Sequence, residues 1–524
     1  MPTYTRTNAW NNGGTFNNPI LLWYAKGVGV MQSRQLNDTS SWWFFAAIHG
    51  QRIGQSASFP DWTTLPSPPQ VRTAPPPSQS DKDLYWDQCQ HQTWYFAPWH
   101  RGYLLALEQQ VRAAIISLGG PADWALPYWN YFGPNNQFQM PPAFAEQDLP
   151  NNGGPNPLYV KARYGPDFSG NIFVPLQFVN QDCMTNDLFT GDDAVTPPPG
   201  FGGPQTNPLF SHFGGTSGNL ENNPHNLVHG FVGGRTQQGA RGLMSNPLTA
   251  GLDPIFYLHH SNIDRMWAAW NITSMQSNPT DNAWLQGPPS NGERKFAMPL
   301  PGGGSWVYTP SQMSDLGQLD YTYDDLQAPA PSVAPLMERL VRLGVLEDEA
   351  ARAAEGVAPM ITGKQIELLG ASPKALKLEA NGARTMVKLD SKVRRKVSAS
   401  LLDAAETKNP DRVFLELENV RGQGDADVLN VYVNLPPGAR PDNHPELLAG
   451  SAGLFGVSKA SEPDDEHGGE GLNFVMDITK IIDEMHLRNA LETDSLDISV
   501  VPYQPIDESA DITVGRVNIY RKGD

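Results

Sequence analysis

The chain has 524 residues, more than one ordinary domain holds, and its 39% hydrophobic content, with 14 Trp and 21 Phe, can supply a large core. A formal net charge of −18 disfavours nucleic acid or an anionic membrane as the main partner, and two cysteines, Cys89 and Cys183, cannot make a disulfide scaffold. No basic stretch leads into an apolar run between Met1 and Trp10, and no segment nears the roughly 20 apolar residues of a spanning helix, so a soluble, cytoplasmic protein without a membrane partner is expected.

Gly (49) and Pro (47) place much of the chain in loops. The apolar run Trp42 to Ile48 predicts a core helix that ends on His49. Pro98 suits a first helical turn and opens a helix through His100, Tyr103, Leu104, Leu107 and Val111. On one unbroken helix His91 and His100 would face opposite ways, so His91 falls on the preceding loop. His225 and His229 are spaced to share one helical face, with Pro224 in the first turn. Asp253-Pro254 punctuates a loop before a helix that carries Ile263, Met266, Trp267 and Trp270 inward. His260 and Asp264 lie one turn apart on it, and a carboxylate there can accept the second N–H of a ligating imidazole.

Ala328 to Pro335 reads as a linker, and Leu336, Leu340, Leu343 and Leu346 recur after it at the spacing of an amphipathic helix. From about Asn381 the runs Val413–Glu418, Val428–Val433, Leu496–Val500 and Val514–Tyr520 predict strands. Pro463 to Gly471 is an acidic, glycine-rich loop. The expected layout is a mainly helical core with many loops (1–327), a linker with an amphipathic helix (328–380), and a C-terminal β-sandwich (381–524).

His49, His91 and His100 form one cluster, and His225 and His229 with the His259-His260 pair form a second. Any one of them alone reads equally well as a buried, hydrogen-bonded core residue. Two sets of three imidazoles on buried helices narrow the chemistry: neutral nitrogen ligands suit Cu, Zn, Fe and Ni. The lack of nearby Cys pairs disfavours structural zinc, and helix-borne ligands in a bundle core are one way to build a dinuclear site. Spacing alone does not choose the metal.

The string Phe96-Ala97-Pro98-Trp99-His100-Arg101-Gly102-Tyr103-Leu104-Leu105 resembles the first copper-site signature of tyrosinases and catechol oxidases, and Asp253 to Trp267 resembles the second. Tyr321-Thr322-Tyr323-Asp324 resembles the tyrosine motif that closes the family's catalytic domain, and the C-terminal strands resemble the β-sandwich of plant polyphenol oxidases. The resemblance implies two copper ions, copper A on His49, His91 and His100, and copper B on His225, His229 and His260. His260 is preferred to His259 because the family's ligand precedes the Asp by four; His259 and Asp264 then stand behind the ligands as support, with Phe256 near copper B. His212, His444, His467 and His486 match nothing in the pattern. The resemblance further implies a thioether between Cys89 and His91, and a water held by Glu221 and Asn226 that takes the proton of an incoming phenol. Met244 to Pro247 is expected at the substrate mouth.

The activity so implied is O₂-dependent ortho-hydroxylation of monophenols and oxidation of o-diphenols to o-quinones, with small phenols as substrates. The alternatives are a catechol oxidase without hydroxylase activity, a haemocyanin-like O₂ carrier, and a binding protein with a relict site. The resemblance also implies a latent enzyme whose C-terminal domain covers the site and inserts an apolar side chain, with no residue indicated. Homo-oligomerisation is left open.

Overall fold

The computed structural model describes residues 4–51, 62, 72–191, 199–206, 215–272, 276–287, 295–327, 333–356, 365–407, 409–463 and 469–523. The N-terminal part is built on α1 (Pro19–Ser33), α2 (Trp42–Gly50), α3 (Phe96–Ser117), α4 (Leu227–Gly233), the one-turn α5 (Pro247–Ala250) and α6 (Pro254–Trp270). Side chains that compete with the backbone for hydrogen bonds start several of them. Ser41 accepts from Phe44 N at α2, and Asp253 accepts from Ile255 N at α6 with Pro254 in the first turn. Every residue of α2 and α6 is buried, so both are central helices with no solvent face. Pro98 lies in the first turn of α3, which starts at Phe96, and His91 lies on the loop before it.

Strand β1 (Tyr4–Arg6) pairs in parallel with a later strand, Tyr321–Tyr323, and so ties the first described residues to the end of the N-terminal part. Between them in sequence lies β2 (Gly215–Thr216), and Tyr321–Tyr323 is therefore β3. The linker residues 328–332 lie outside the described residues, and α7 (Val333–Arg342) follows. The helical stripe stops earlier than its leucine spacing predicts. Gly344 turns the chain with φ +93°, and Leu346 is exposed, while Leu340 packs with Val345, Ala350 and Ala353 against α8 (Glu347–Gly356). Arg339 and Arg342 of α7 both reach the buried Asp483 (2.8 and 2.9 Å), which fastens this helix to the C-terminal domain.

That domain is one large sheet of β4 (Gln365–Ala371), β5 (Ala383–Leu389), β6 (Arg412–Arg421), β7 (Val428–Val433), β8 (Leu448–Gly453), β9 (Leu472–Asp477), β10 (Ser495–Pro502) and β11 (Thr513–Gly523). The strand order is β8-β7-β10-β5-β4-β11-β6-β9-β2. The two halves join at β4–β5, where only Gly370 and Ala371 pair, and their inner faces share one core of Leu415, Leu417, Val431, Ile498 and Val517. The sheet begins at Gln365, ahead of the Asn381 boundary expected from composition, because β4 is needed to bridge the two layers. The last strand in the order is the N-terminal part's own β2, paired in parallel through Leu472–Gly215 and Asn473–Thr216. No described helix is long and apolar enough to cross a membrane.

Candidate dinuclear metal centre

Helix α2 delivers His49, the loop before α3 delivers His91, and α3 delivers His100. With Cys89 these form one buried group whose ligand atoms lie within 4.8 Å of one another. His225, His229, His259 and His260 form a second such group. The rings of His100 and His260 stack at 4.4 Å between centroids, so the two groups are contiguous. Phe256 lies against both, 4.3 Å from His260 and 4.7 Å from His49.

His225 does not stand on a regular first helical turn. Glu221–Asn226 form a wider π-type turn, with extended backbone at Asn223, that runs into α4 at Leu227. The four-residue spacing to His229 nevertheless brings the two Nε2 atoms within 3.1 Å. His260 Nε2 lies 3.3 Å from that of His225 and 3.4 Å from that of His229. Three nitrogens each ~2.0–2.1 Å from one ion, and spread tetrahedrally, would lie ~3.3–3.4 Å apart. His229 Nδ1–H donates to the Met244 carbonyl (2.7 Å), so its Nε2 presents a lone pair to its neighbours. A cation at the centre relieves the repulsion that this convergence would otherwise cause.

Tautomers are set in the same way around the first group. His49 Nδ1–H donates to the Pro247 carbonyl (3.1 Å) and His100 Nδ1–H to the Phe96 carbonyl (2.8 Å). His225 Nδ1–H donates to Asn226 Oδ1 (2.9 Å). Burial holds all of these rings neutral at ordinary pH. It lowers His49 to about 4 and takes His100, His225, His229, His259 and His260 well below the usual imidazole range. Neutral imidazole is the form that binds metal.

The bond expected from Asp264 to His260 is not made. Asp264 accepts instead from Arg101 Nε (2.5 Å), Arg6 Nη1 (3.1 Å), Tyr321 OH (2.6 Å) and Tyr323 OH (2.5 Å), and His260 Nδ1 has no hydrogen-bond partner among the described residues. Two buried guanidiniums claim the carboxylate. Burial alone would raise its pKa, but Arg101 and Arg6 outweigh that and hold it below the usual range. Arg6 also stacks over Tyr321 at 4.0 Å and pairs with Glu108 (2.8 Å). Asp264 thus locks α3, α6, β1 and β3 together beneath the metal groups. Arg6 was not legible as part of this lock, because nothing near it in sequence carries site chemistry.

His259 is fully buried and stacks on His225 at 5.3 Å, with Tyr131 at 5.9 Å on another side. Cys89 Sγ lies 3.5 Å from His91 Nδ1 and 3.8 Å from His100 Nε2. Glu221 is fully buried, and both carboxylate oxygens accept from Gln92 N at 3.0 Å. Burial pushes it up to about 8, against the pull of that N–H. Asn226 Nδ2 is buried without a partner among the described residues. Met244 and Pro247 are both buried. His444 lies in the C-terminal domain against Glu446 at 3.2 Å and His486 on the same domain's helix Thr479–Leu487, both far in sequence from the groups; His212 and His467 lie outside the described residues.

A side chain of the C-terminal domain completes the site. Phe455, two residues beyond β8, stacks on His229 at 4.0 Å and lies 5.7 Å from His91 and 5.9 Å from His225. It belongs to the N-terminal part's core, while its neighbour Leu454 belongs to the sandwich core. Gly453 approaches so closely that a Cβ there would lie 2.7 Å from the Asn226 carbonyl oxygen. Beside it, Arg235 pairs with Asp427 (3.1 Å) and Arg241 with the buried Asp425 across the same interface. The signal for Phe455 is an aromatic residue framed by Gly453 and Gly456, the latter at φ +85°, beside a leucine that the sandwich core takes instead.

Comparison with known proteins agrees with this geometry. Residues 39–273 match the family described as the common central domain of tyrosinase, and residues 365–522 match a domain of unknown function, DUF7868. The tyrosinase HcTyr1 of Hahella sp. (strain CCB-MM4) is 33% identical over 516 residues, 96% of this chain and 97% of that protein. The chloroplastic polyphenol oxidase E of Solanum lycopersicum is 34% identical over 207 residues, which is 37% of this chain and only 33% of the plant protein. Among solved structures, a latent apple tyrosinase covers 100% of this chain and 98% of its own at a TM-score of 0.53 and 20% identity. A latent aurone synthase (polyphenol oxidase) from a natural source covers 99% of this chain and 89% of its own at 0.56 and 16% identity, so both likenesses speak to the fold. A helical core with two buried histidine groups for two copper ions, followed by a C-terminal sheet domain, places this chain in the tyrosinase family.

Proposed function

We propose that the chain is a latent tyrosinase-type oxidase that hydroxylates monophenols ortho to their oxygen and oxidises o-diphenols to o-quinones with O₂. Copper A sits on His49, His91 and His100, and copper B on His225, His229 and His260. The convergence of three Nε2 atoms at 3.1–3.4 Å supports His260 over its neighbour His259, whose ring lies on the face of His225. When bound, the copper pair supplies the two-electron redox exchange between O₂ and the phenol. The protein's own part is to hold the imidazoles neutral and aligned in a buried site, and to take the proton of an entering phenol. Glu221, which burial pushes up to about 8, takes that proton in its ionised form, a stronger base than an ordinary carboxylate and the major form only above that pH, with Asn226 beside it.

Cys89 is assigned a thioether to the His91 ring. Its sulfur is within ring contact, and the bond would pin a ligand that stands on a loop. Its formation would replace S–H and a ring C–H by one C–S bond, and the two electrons and two protons released would go to O₂, the co-substrate named above. Loss of two hydrogens from the peptide that spans Cys89 and His91, read by mass spectrometry, tests it.

Latency rests on one observation, the stacking of Phe455 on the ring of His229 at 4.0 Å, which would stand in the way of a substrate approaching from that face. A second reading, catechol oxidase without hydroxylase activity, is favoured by the engagement of Glu221 with Gln92 N and of Asn226 Oδ1 with His225. Oxygen uptake by copper-loaded protein, first with a monophenol and then with a catechol, separates the two. Uptake with both is expected, and uptake with catechol alone would favour the second reading.

A further inference from the structure

Two histidines assigned to different coppers hang from one short segment. His229 donates to the carbonyl of Met244 (2.7 Å), and His49 donates to the carbonyl of Pro247 (3.1 Å). A carbonyl can only accept, so each ring carries its proton on Nδ1 and turns its Nε2 lone pair toward its metal. The segment is the 3₁₀ turn Leu243–Ser245 running into α5. Thr249 closes it: its hydroxyl donates back to the Leu243 carbonyl at 2.9 Å.

The two helices that bear these histidines each have a glycine where the segment passes. A Cβ at Gly50, the residue after His49, would lie 2.6 Å from the Pro247 carbonyl oxygen and 2.7 Å from Leu248 Cα. A Cβ at Gly233 would lie 2.3 Å from Ser245 N. Both glycines are helical, with no positive φ, so their conformation would accept alanine. Glycine is a poor helix former, and at both positions close approach of the segment is what requires it.

We propose that residues 243–249 form a strut that orients one imidazole of each copper triad at the same time, with Thr249 and Gly50 as positioning residues. Because one rigid turn carries both carbonyls, loosening it disturbs both coppers together. Pushing only its Pro247 end disturbs copper A first. The inference rests on the histidine assignment proposed above.

The test is copper affinity of the copper-free protein, measured by chelator competition, with electron paramagnetic resonance of the Cu(II) form and melting of the metal-free form as controls. Thr249→Val removes the hydroxyl at nearly constant volume and is expected to weaken binding at both sites alike, approaching the ~10–100-fold that loss of a ligand's own hydrogen-bond partner causes. Thr249→Ser is expected to restore it. Gly50→Ala is expected to lose copper A and keep copper B. That outcome reveals itself as a resonance signal, because a lone Cu(II) is visible while a coupled pair is silent. Wild-type affinity in Thr249→Val, no rescue by serine, or equal loss of both ions in Gly50→Ala would overturn the strut. A wild-type chain that takes up no copper pair would instead refute the histidine assignment.

Discussion

Removing the Phe455 ring should open the site in the uncut chain. The side chain is 1% exposed, and full burial of a phenylalanine contributes ~1.5–3 kcal/mol, with ~0.5–1.5 kcal/mol more from an aromatic stack such as that on His229. Loss of ~2–3 kcal/mol of this contact shifts a closed–open equilibrium by roughly 30–150-fold at ~1.4 kcal/mol per decade. Intact Phe455→Ala should therefore oxidise catechol with a kcat/KM some 10–100-fold above the parent, since part of the ring's contact is remade by neighbouring side chains. Phe455→Leu, which keeps apolar bulk over His229, should rise far less. The assay is initial oxygen uptake at matched copper content, with the parent cut between residues 328 and 332 as the ceiling. If Phe455→Ala carries two coppers yet stays as slow as the parent while the cut chain is fast, the ring is packing and the domain shuts the site by its bulk. If the uncut parent is already as fast as the cut chain, latency itself falls.

Three further expectations follow from other contacts. Gly453→Val places a side chain against the backbone of Asn226 and Leu227, an overlap costing ~1–3 kcal/mol, and should raise uncut activity by roughly 10–100-fold with copper content unchanged; parent-like activity would mean the interface adjusts. Glu221→Gln should slow monophenol hydroxylation by roughly 100-fold while sparing catechol oxidation, as expected for loss of a general base. Equal loss of both activities together with copper would instead mark Glu221 as a tie to Gln92 N. The metal-free protein should become acid-labile. The folded value of His49, about 4, lies below its unfolded 6.5, so its contribution is fully present above pH ~6.5 and is lost as pH falls toward 4, roughly 3 kcal/mol in all. Melting temperatures of the copper-free chain from pH 7 to 4.5 check this. A flat profile, or the same slope in copper-free His49→Gln, would contradict it.

What could be read before the structure, and what could not, divides along a physical line. The histidine groups were legible because metal chemistry demands particular residue types at helical spacings, and α3 and α6 keep those spacings. Where local rules conflict with tertiary demand, the local reading failed. Asp264 stands one turn from His260, as a helical partner should, yet two buried arginines outbid the imidazole for its oxygens. His225 sits on a widened turn, because Asn223 is extended and the chain bends before α4 begins. The amphipathic stripe ends at Gly344, whose left-handed backbone overrides the leucine period.

The contacts that govern access are of a third kind. Phe455 reaches a histidine more than two hundred positions earlier in the chain, and no local pattern encodes such a meeting. What local sequence does encode is a misfit: Leu454 and Phe455 are adjacent apolar residues at the end of a strand, and alternation lets the sandwich bury only one of them. The other must find apolar cover elsewhere or remain exposed. Gly453 permits the approach, the ion pairs of Arg235 and Arg241 with Asp427 and Asp425 flank it, and β2 extends the C-terminal sheet from the catalytic side. Ring, glycine, ion pairs and shared strand are four independent restraints on one docking geometry. A single substitution at the rim should therefore leave the domain seated, whereas one at Phe455 or Gly453 acts where the restraint meets the copper ligands themselves.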